Sequence, residues 1–122
     1  MKVLVTGSSG FIGKNIVFHL SKKYKVIATC YKIKKKKKLK KIEFIKFNEK
    51  NLYQINDIDT IIHCAASTPP KYSQNQCYKN NRNIDDLIFS FAKRKKINNF
   101  IYLSSMSIYG KKKNEIVKEN NS

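Results

Sequence analysis

The stretch Thr6-Gly7-Ser8-Ser9-Gly10-Phe11-Ile12-Gly13 joins an apolar run, Val3–Val5, to an apolar pattern with helical spacing. A strand, a glycine turn and a helix in this order form a cradle for phosphate, because the first N–H groups of a helix and its dipole favour an anion. Gly7 would permit a tight turn, Gly10 would let a pyrophosphate approach the backbone, and Gly13 would let the helix pack closely on the strand. No Lys-Ser or Lys-Thr closes the loop, which excludes a mononucleotide P-loop. An ordinary strand-to-helix connection could also carry three glycines, but the context favours a dinucleotide site.

The composition is strongly basic, with a net charge of +18 from 26 lysine and arginine residues. Between Lys32 and Lys41 all residues but two are lysine, which is typical either of a basic patch for nucleic acid or of a solvated segment. Nucleic-acid binders usually add arginine and stacking aromatics, and this run has neither. We therefore expect a solvated segment and no nucleic-acid partner, and keep a basic nucleic-acid-binding protein as an alternative.

No apolar run is long enough for a transmembrane span or a signal peptide, so no membrane partner is expected. Cys30, Cys64 and Cys77 are an odd number of cysteines without metal-ligand spacing. They indicate reduced thiols in a cytoplasmic protein without a metal site.

Strand-like and helix-like segments alternate along the chain. Strands are predicted over Lys2–Thr6, Lys25–Cys30, Ile42–Phe47, Asp59–Ala66 and Asn99–Ser104, a turn or short helix over Asn51–Asn56, and helices over Phe11 to about Lys23 and about Gln74–Lys96. Near-continuous apolar strands separated by helices predict an α/β fold with a doubly wound parallel sheet. Ligands of such folds bind at the carboxyl ends of the strands, where the glycine turn, Ala65-Ala66 and Ser104-Ser105 lie.

Four ordered motifs resemble the extended short-chain dehydrogenase/reductases, specifically the NAD-dependent epimerase/dehydratase family. The glycine motif matches Thr6–Gly13, the Asp-x-x-x-His-x-Ala-Ala motif matches Asp59–Ala66, and the Ser-Ser-x-x-(Val/Ile)-Tyr-Gly signature matches Ser104–Gly110. The family's asparagine in the long helix resembles Asn80, with Asn81 as the alternative. The resemblance implies a Rossmann-like domain that binds NAD or NADP. It also implies, in the complete enzyme, hydride transfer between a nucleotide sugar and nicotinamide.

Site residues follow from this resemblance by position. Gly7, Gly10 and Gly13 would hold the pyrophosphate with the backbone N–H groups of Phe11 and Ile12, Ala65 and Ala66 would border the ribose and nicotinamide, and Asn80 would lie on the cofactor side. Ser105 falls on the family's catalytic serine, whose hydroxyl would bond the reacting sugar oxygen. Considered without the family, Ser104 and Ser105 could simply satisfy backbone groups at a strand end.

Three positions depart from the family's pattern. Cys30 stands where an acidic residue would bind the ribose hydroxyls, and the nearby Lys32 would attract a 2′-phosphate, which tilts the cofactor weakly toward NADP. Asn48 replaces an aspartate that contacts the adenine, although its side-chain oxygen could still accept from the amino group. Met106 and Ser107 replace the acid-base pair of the sugar 4,6-dehydratases, which argues against that subclass.

The family's active-site Tyr-x-x-x-Lys should follow the serine signature at some distance. Tyr31 with Lys35 comes too early, and Tyr109 with Lys113 uses the tyrosine of the signature itself. We therefore expect an NAD(P)-binding domain over residues 1–110 and a polar tail over residues 111–122, with the sheet truncated after its fifth strand and the substrate domain absent. Such a chain would be inactive alone, with a downstream polypeptide or a second copy as a candidate partner. A non-catalytic NADP-binding regulatory module is the other alternative.

Three further residues complete these expectations. His63 is expected to be structural at a strand end, because no acidic or metal partner is evident. Asp85, with its neighbour Asp86, is expected on the solvated side of the long helix.

Overall fold

The computed structural model describes residues 1–33, 40–69 and 71–105, which form one parallel sheet with helices. The strands are β1 (Lys2–Thr6), β2 (Lys25–Cys30), β3 (Ile42–Lys46), β4 (Thr60–His63) and β5 (Asn99–Tyr102), and the helices are α1 (Phe11–Leu20), α2 (Glu49–Tyr53) and α3 (Gln74–Arg94). The strand order is β3-β2-β1-β4-β5, and every neighbouring pair is parallel. The predicted Rossmann-like doubly wound sheet is thus confirmed. Its order reverses between β1 and β4, and in open α/β sheets ligands bind outside the carboxyl ends of the strands at such a point.

Strand β1 is apolar from Val3 to Val5 because these residues are buried on both faces of the sheet. Leu4 belongs to a core with Ile88 and Phe91 of α3. Val3 and Val5 belong to a second core with Val17 of α1. Alternate residues of one strand therefore anchor helices on opposite faces, which removes the polar alternation of a one-sided sheet.

Several element boundaries differ from the prediction by a few residues. Helix α1 ends at Leu20, and the chain then turns through short-range backbone bonds, such as that from the N–H of Tyr24 to the carbonyl of Leu20 at 2.9 Å. Helix α3 ends at Arg94, two residues before Lys96, which has a positive φ of 53°. Strand β4 is shorter than predicted because the residues after His63 bond to a side chain of β1.

Part of the prediction lies outside the described residues. This holds for residues 34–39 of the lysine run, for the serine signature from Met106 to Gly110, and for the tail over residues 111–122. The pair Tyr109 and Lys113 falls in the same region. Within residues 1–33, 40–69 and 71–105, no helix has the length and apolarity needed to cross a membrane.

Candidate functional site

The glycine turn after β1 has a conformation that requires glycine at two positions. Gly7 has a φ of +67°, and a Cβ on it would lie 2.8 Å from the backbone of Cys64 and Ala65. A Cβ on Gly13 would overlap the carbonyl oxygen of Gly7 and lie 2.8 Å from its carbon. Gly13 therefore packs α1 against the turn itself, whereas the sequence had predicted close packing on the strand. These two glycines let β1, the turn and α1 approach each other more closely than side chains allow.

Gly10 differs from the other two glycines because a side chain there would meet a single neighbouring atom and no strained backbone. Its φ of −76° and ψ of 167° suit any residue, and a Cβ there would meet only the Gly7 carbonyl oxygen, at 3.3 Å, among the described atoms. Gly10 is the N-cap of α1, and no side chain caps the helix. The space that a side chain would fill is therefore available to a ligand at the helix start.

The first N–H groups of α1 precede its first intrahelical bond. That bond runs from the N–H of Lys14 to the carbonyl of Gly10 at 3.0 Å, so the N–H groups of Phe11, Ile12 and Gly13 have no partner within the helix. The first turn carries no acidic residue that would compete for them. This helix start can hold an anion such as a phosphate.

The turn is tied to β2 through Ser8. Its backbone N–H and its hydroxyl both donate to the carbonyl oxygen of Thr29, at 3.0 and 2.9 Å. Ser8 is buried as a result. The turn is therefore held between the ends of β1 and β2.

The hydroxyl of Thr6 connects the ends of β1 and β4. Its oxygen accepts the N–H groups of Cys64 and Ala65, at 3.1 and 3.2 Å, and lies 2.6 Å from Nδ1 of His63. With both acceptor positions of the oxygen in use, the hydroxyl proton is left to donate to Nδ1, so the neutral imidazole carries its own proton on Nε2. The segment Cys64-Ala65 thus leaves β4 to bind a side chain of β1.

His63 has an acidic partner that sequence reasoning missed. Its Nε2 lies 2.9 Å from Oδ1 of Asp85, in helix α3. The Asp85 side chain is only 25% exposed, so its predicted place on the solvated side is wrong. Asp86, with 72% of its side chain exposed, does face solvent. The expectation that His63 is structural stands, but the premise that it lacks an acidic partner is wrong.

The end of β2 carries the residues predicted to choose the cofactor. Cys30 is buried, while Tyr31 and Lys32 are exposed immediately after the strand. Asn48, after the neighbouring strand β3, accepts the N–H of Asn51 at 2.8 Å and so caps α2. Its oxygen retains a second lone pair for an adenine amino group, but its first role is local.

The two asparagines of α3 both contact Ser67. Asn80 donates to the Ser67 hydroxyl at 3.4 Å and accepts from Gln76 at 2.8 Å. Asn81 accepts the N–H of Ser67 at 2.6 Å and donates to its carbonyl at 3.1 Å. Asn81 therefore makes the two-sided backbone contact that orders this loop, and Asn80 makes the weaker contact.

Ser105 lies at the same edge of the sheet as the glycine turn. Strand β5 ends at Tyr102, and the next N–H, of Leu103, donates to the carbonyl of His63 at 3.1 Å. Ser104 and Ser105 follow, and both are exposed. The strand pairing thus places Ser105 at the carboxyl edge of the sheet, beyond β4.

Two groups near this edge have pKa values above their ordinary values. Burial raises the pKa of the Cys64 thiol. Burial, the charge of Asp85 and a hydrogen bond to Asp85 together raise the pKa of Tyr102, whose hydroxyl donates to Oδ2 of Asp85 at 3.1 Å. Both groups are therefore protonated at neutral pH and offer no nucleophile or base there.

The fold brings some of the predicted residues together and leaves others apart. Gly7 and Ala65 are in direct backbone contact, whereas Lys32 and Asn48 lie at the ends of β2 and β3, on the other side of β1. Sequence reasoning missed Asp85 as a partner of His63 and gave Asn81 only as the alternative to Asn80. The spacing of four residues between Asn81 and Asp85 would have placed both on one helix face.

Comparison with known proteins gives consistent matches. The family described as NAD dependent epimerase/dehydratase matches residues 3–122. A dTDP-D-glucose 4,6-dehydratase of Dictyostelium discoideum is 31% identical over 130 residues, covering 89% of this chain and 30% of the relative.

Solved structures match over nearly the whole chain. The UDP-glucuronic acid 4-epimerase of Bacillus cereus, in complex with UDP-glucuronic acid and NAD, is 27% identical with a TM-score of 0.78, covering 98% of this chain and 45% of that one. The UDP-N-acetylglucosamine 4-epimerase of Methanobrevibacter ruminantium, in complex with UDP-N-acetylmuramic acid, is 27% identical with a TM-score of 0.79, covering 97% and 42%. The chain spans less than half of the length of each of these three relatives.

Proposed function

The chain belongs to the NAD dependent epimerase/dehydratase family, and on that premise we propose that it is the cofactor-binding portion of a nucleotide-sugar epimerase. Its ligand is a nicotinamide dinucleotide, whose pyrophosphate binds at the glycine turn and the start of α1. The bound nicotinamide would supply the hydride chemistry, by accepting a hydride from a sugar carbon and returning it.

The observation that carries the proposal is that the backbone and packing at Gly10 do not themselves require a glycine. Gly7 and Gly13 are required by the packing of the turn itself, but a Cβ on Gly10 would meet a single carbonyl oxygen. The same position caps a helix whose first N–H groups have no partner within it. A glycine that the fold does not need, at a helix start at the switch point of the sheet, is best accounted for by a phosphate that needs the room.

The remaining contacts of the cofactor follow the carboxyl ends of the strands. Ala65 and Ala66, after β4, border the ribose and nicotinamide. Asn80 lies beside them on the cofactor side, and Asn81 orders the loop that they begin. The adenosine half extends toward the ends of β2 and β3, where Asn48 meets the adenine. A relative at 27% identity was solved with NAD, while Lys32 and the lack of an acid at Cys30 favour NADP. We therefore propose NADP as the preferred form for this chain.

For the sugar, we propose that Ser105 hydrogen-bonds the reacting oxygen. It follows β5 and is exposed at the carboxyl edge of the sheet, which suits a group that meets substrate beside the cofactor. We favour epimerisation over 4,6-dehydration, because Met106 and Ser107 cannot replace a carboxylate pair in acid-base catalysis. Relatives solved with UDP sugars support a nucleotide sugar as the substrate class.

Fluorescence of the reduced cofactor tests the proposal. We expect NADPH emission to change on addition of the chain at physiological salt, and excess NADP to reverse the change. The matched control is inorganic pyrophosphate, which carries the anionic group without the nucleosides and should compete only weakly. If pyrophosphate displaced the cofactor as well as NADP does, the nucleosides would contribute nothing to binding, and a dinucleotide would be the wrong ligand for this chain.

A further inference from the structure

One buried histidine connects the two loops of the proposed site. The carbonyl of His63 accepts the N–H of Leu103, which directly precedes the two serines after β5. Its ring contacts Thr6, whose hydroxyl oxygen accepts two N–H groups of the segment after β4. His63 is only 1% exposed, so water cannot replace these contacts. The position of the segment after β4 therefore depends on how this ring is held.

The orientation of the ring depends on Asp85. With the Thr6 hydroxyl donating to Nδ1, the ring proton lies on Nε2, and its acceptor is Oδ1 of Asp85 at 2.9 Å. The hydroxyl of Tyr102 donates to the other oxygen, Oδ2, at 3.1 Å. Asp85 is thus held from β4 and β5 at once, and both of its oxygens accept.

Loss of the carboxylate would affect the loop after β4. Without an acceptor at Nε2, the ring would favour the tautomer with its proton on Nδ1, directed at the Thr6 oxygen. That oxygen has two acceptor positions, and the N–H groups of Cys64 and Ala65 already use both. One of the two amides would therefore lose its partner.

We infer that Asp85, supported by Tyr102, is a positioning residue that holds His63 in its Nε2-protonated form and thereby keeps the Cys64-Ala65 segment in place for the cofactor. The inference rests on the proposed function, in which Ala65 borders the cofactor. Asp85 acts through His63 and Thr6. This assigns a role to a helix residue that the sequence had placed in solvent.

The test compares three variants of the 122-residue chain. Asp85→Leu removes the acceptor, while Asp85→Asn keeps an oxygen for Nε2–H and offers its amide to the Tyr102 oxygen. Asp86→Leu is the matched control, because it removes the same charge from the adjacent position, where the side chain is 72% exposed. The ring nitrogens of His63 report the tautomer by NMR, and hydrogen exchange reports the Cys64 and Ala65 amides.

We expect the Nε2-protonated tautomer in the wild type, in Asp85→Asn and in Asp86→Leu. In Asp85→Leu we expect a tautomer mixture and an exchange rate at Cys64 or Ala65 that rises by about tenfold, corresponding to the loss of one neutral hydrogen bond from the amide to the Thr6 hydroxyl. The dissociation constant of the cofactor should rise by a similar factor in that variant alone.

Several outcomes would overturn the inference. One is an Nδ1-protonated ring in the wild type. Another is equal exchange of the Cys64 and Ala65 amides in Asp85→Leu and Asp86→Leu. The third is amide exchange in Asp85→Asn that is faster than in the wild type. If Asp85→Leu does not fold, the His63 tautomer in the wild type and the amide exchange rates in Asp85→Asn still test the inference. The NMR readouts need no cofactor. A wild type that binds no dinucleotide would therefore refute the proposed function separately.

Discussion

Replacing Gly10 by valine separates the requirements of the proposed ligand from those of the fold. The backbone at Gly10 has φ −76° and ψ 167°, which valine adopts without strain. A Cβ there would lie 3.3 Å from the Gly7 carbonyl oxygen, a tight contact that a small shift relieves. We therefore expect Gly10→Val to fold, at a cost of about 0.5–1 kcal/mol for an apolar N-cap.

The expected loss of cofactor affinity is much larger than this cost. The branched side chain would occupy the space next to the N–H groups of Phe11 and Ile12, which we expect to bond the pyrophosphate. Each charge-assisted hydrogen bond contributes about 1.5–3 kcal/mol, so losing both costs about 3–6 kcal/mol. That loss corresponds to an affinity weaker by about two to four orders of magnitude.

Calorimetric titration with NADP and NAD measures the loss, and circular dichroism establishes that the variant is folded. The matched control is Asn15→Val, which introduces the same β-branched residue at an exposed position one turn further along α1. It should bind the cofactor as the wild type does. A folded Gly10→Val chain with an affinity within twofold of the wild type would refute the assignment of the phosphate to this turn.

Four further predictions concern other parts of the chain. The Thr29 hydroxyl is buried without a partner among the described residues, so Thr29→Val should raise the free energy of unfolding by about 1–2 kcal/mol in urea titrations; a decrease would contradict this. Lys32→Glu should weaken NADP binding by about 1.5–3 kcal/mol in calorimetry and leave the affinity for NAD unchanged. A wild-type chain that binds NAD at least as tightly as NADP would contradict the proposed preference. Burial and the neighbouring carboxylate raise the pKa of Tyr102 above 10.0. The contribution of Tyr102 to stability is therefore present below that pH and is lost as pH rises through the higher pKa of the folded state. The difference in the free energy of unfolding between wild type and Tyr102→Phe should narrow over that pH range. The 122-residue chain alone should not turn over nucleotide sugars, because its one Tyr-x-x-x-Lys after the serines, Tyr109 with Lys113, belongs to the serine signature. Without a positioned acid-base group the rate falls by about 10²–10⁴-fold. Turnover that Tyr109→Phe abolishes would contradict this prediction.

The parts of the fold that the sequence predicted well are those with a single physical cause. Strands buried on both faces must be apolar throughout, and the run in β1 follows this rule. The glycine turn was predictable because Gly7 adopts a positive φ that few other residues tolerate.

The parts that could not be predicted depend on contacts distant in the sequence. Asp85 is charged and sits in a polar helix, so local pattern favours solvent, and only the sheet order brings it to His63, 22 residues earlier. The end of β4 was misplaced for a similar reason, since the acceptor for the amides of Cys64 and Ala65 is a side chain 58 and 59 residues away. An apolar pattern does not reveal such partners.

The central claim is that the dinucleotide binds through the start of α1, and a titration of the isotope-labelled chain with NADPH, followed by amide NMR at physiological salt, tests it most directly. We expect the largest shifts at the amides of Phe11, Ile12 and Gly13, with smaller shifts at Ala65 and Ala66. Shifts confined to the lysine-rich segment after β2, or saturation without any change at α1, would contradict the account.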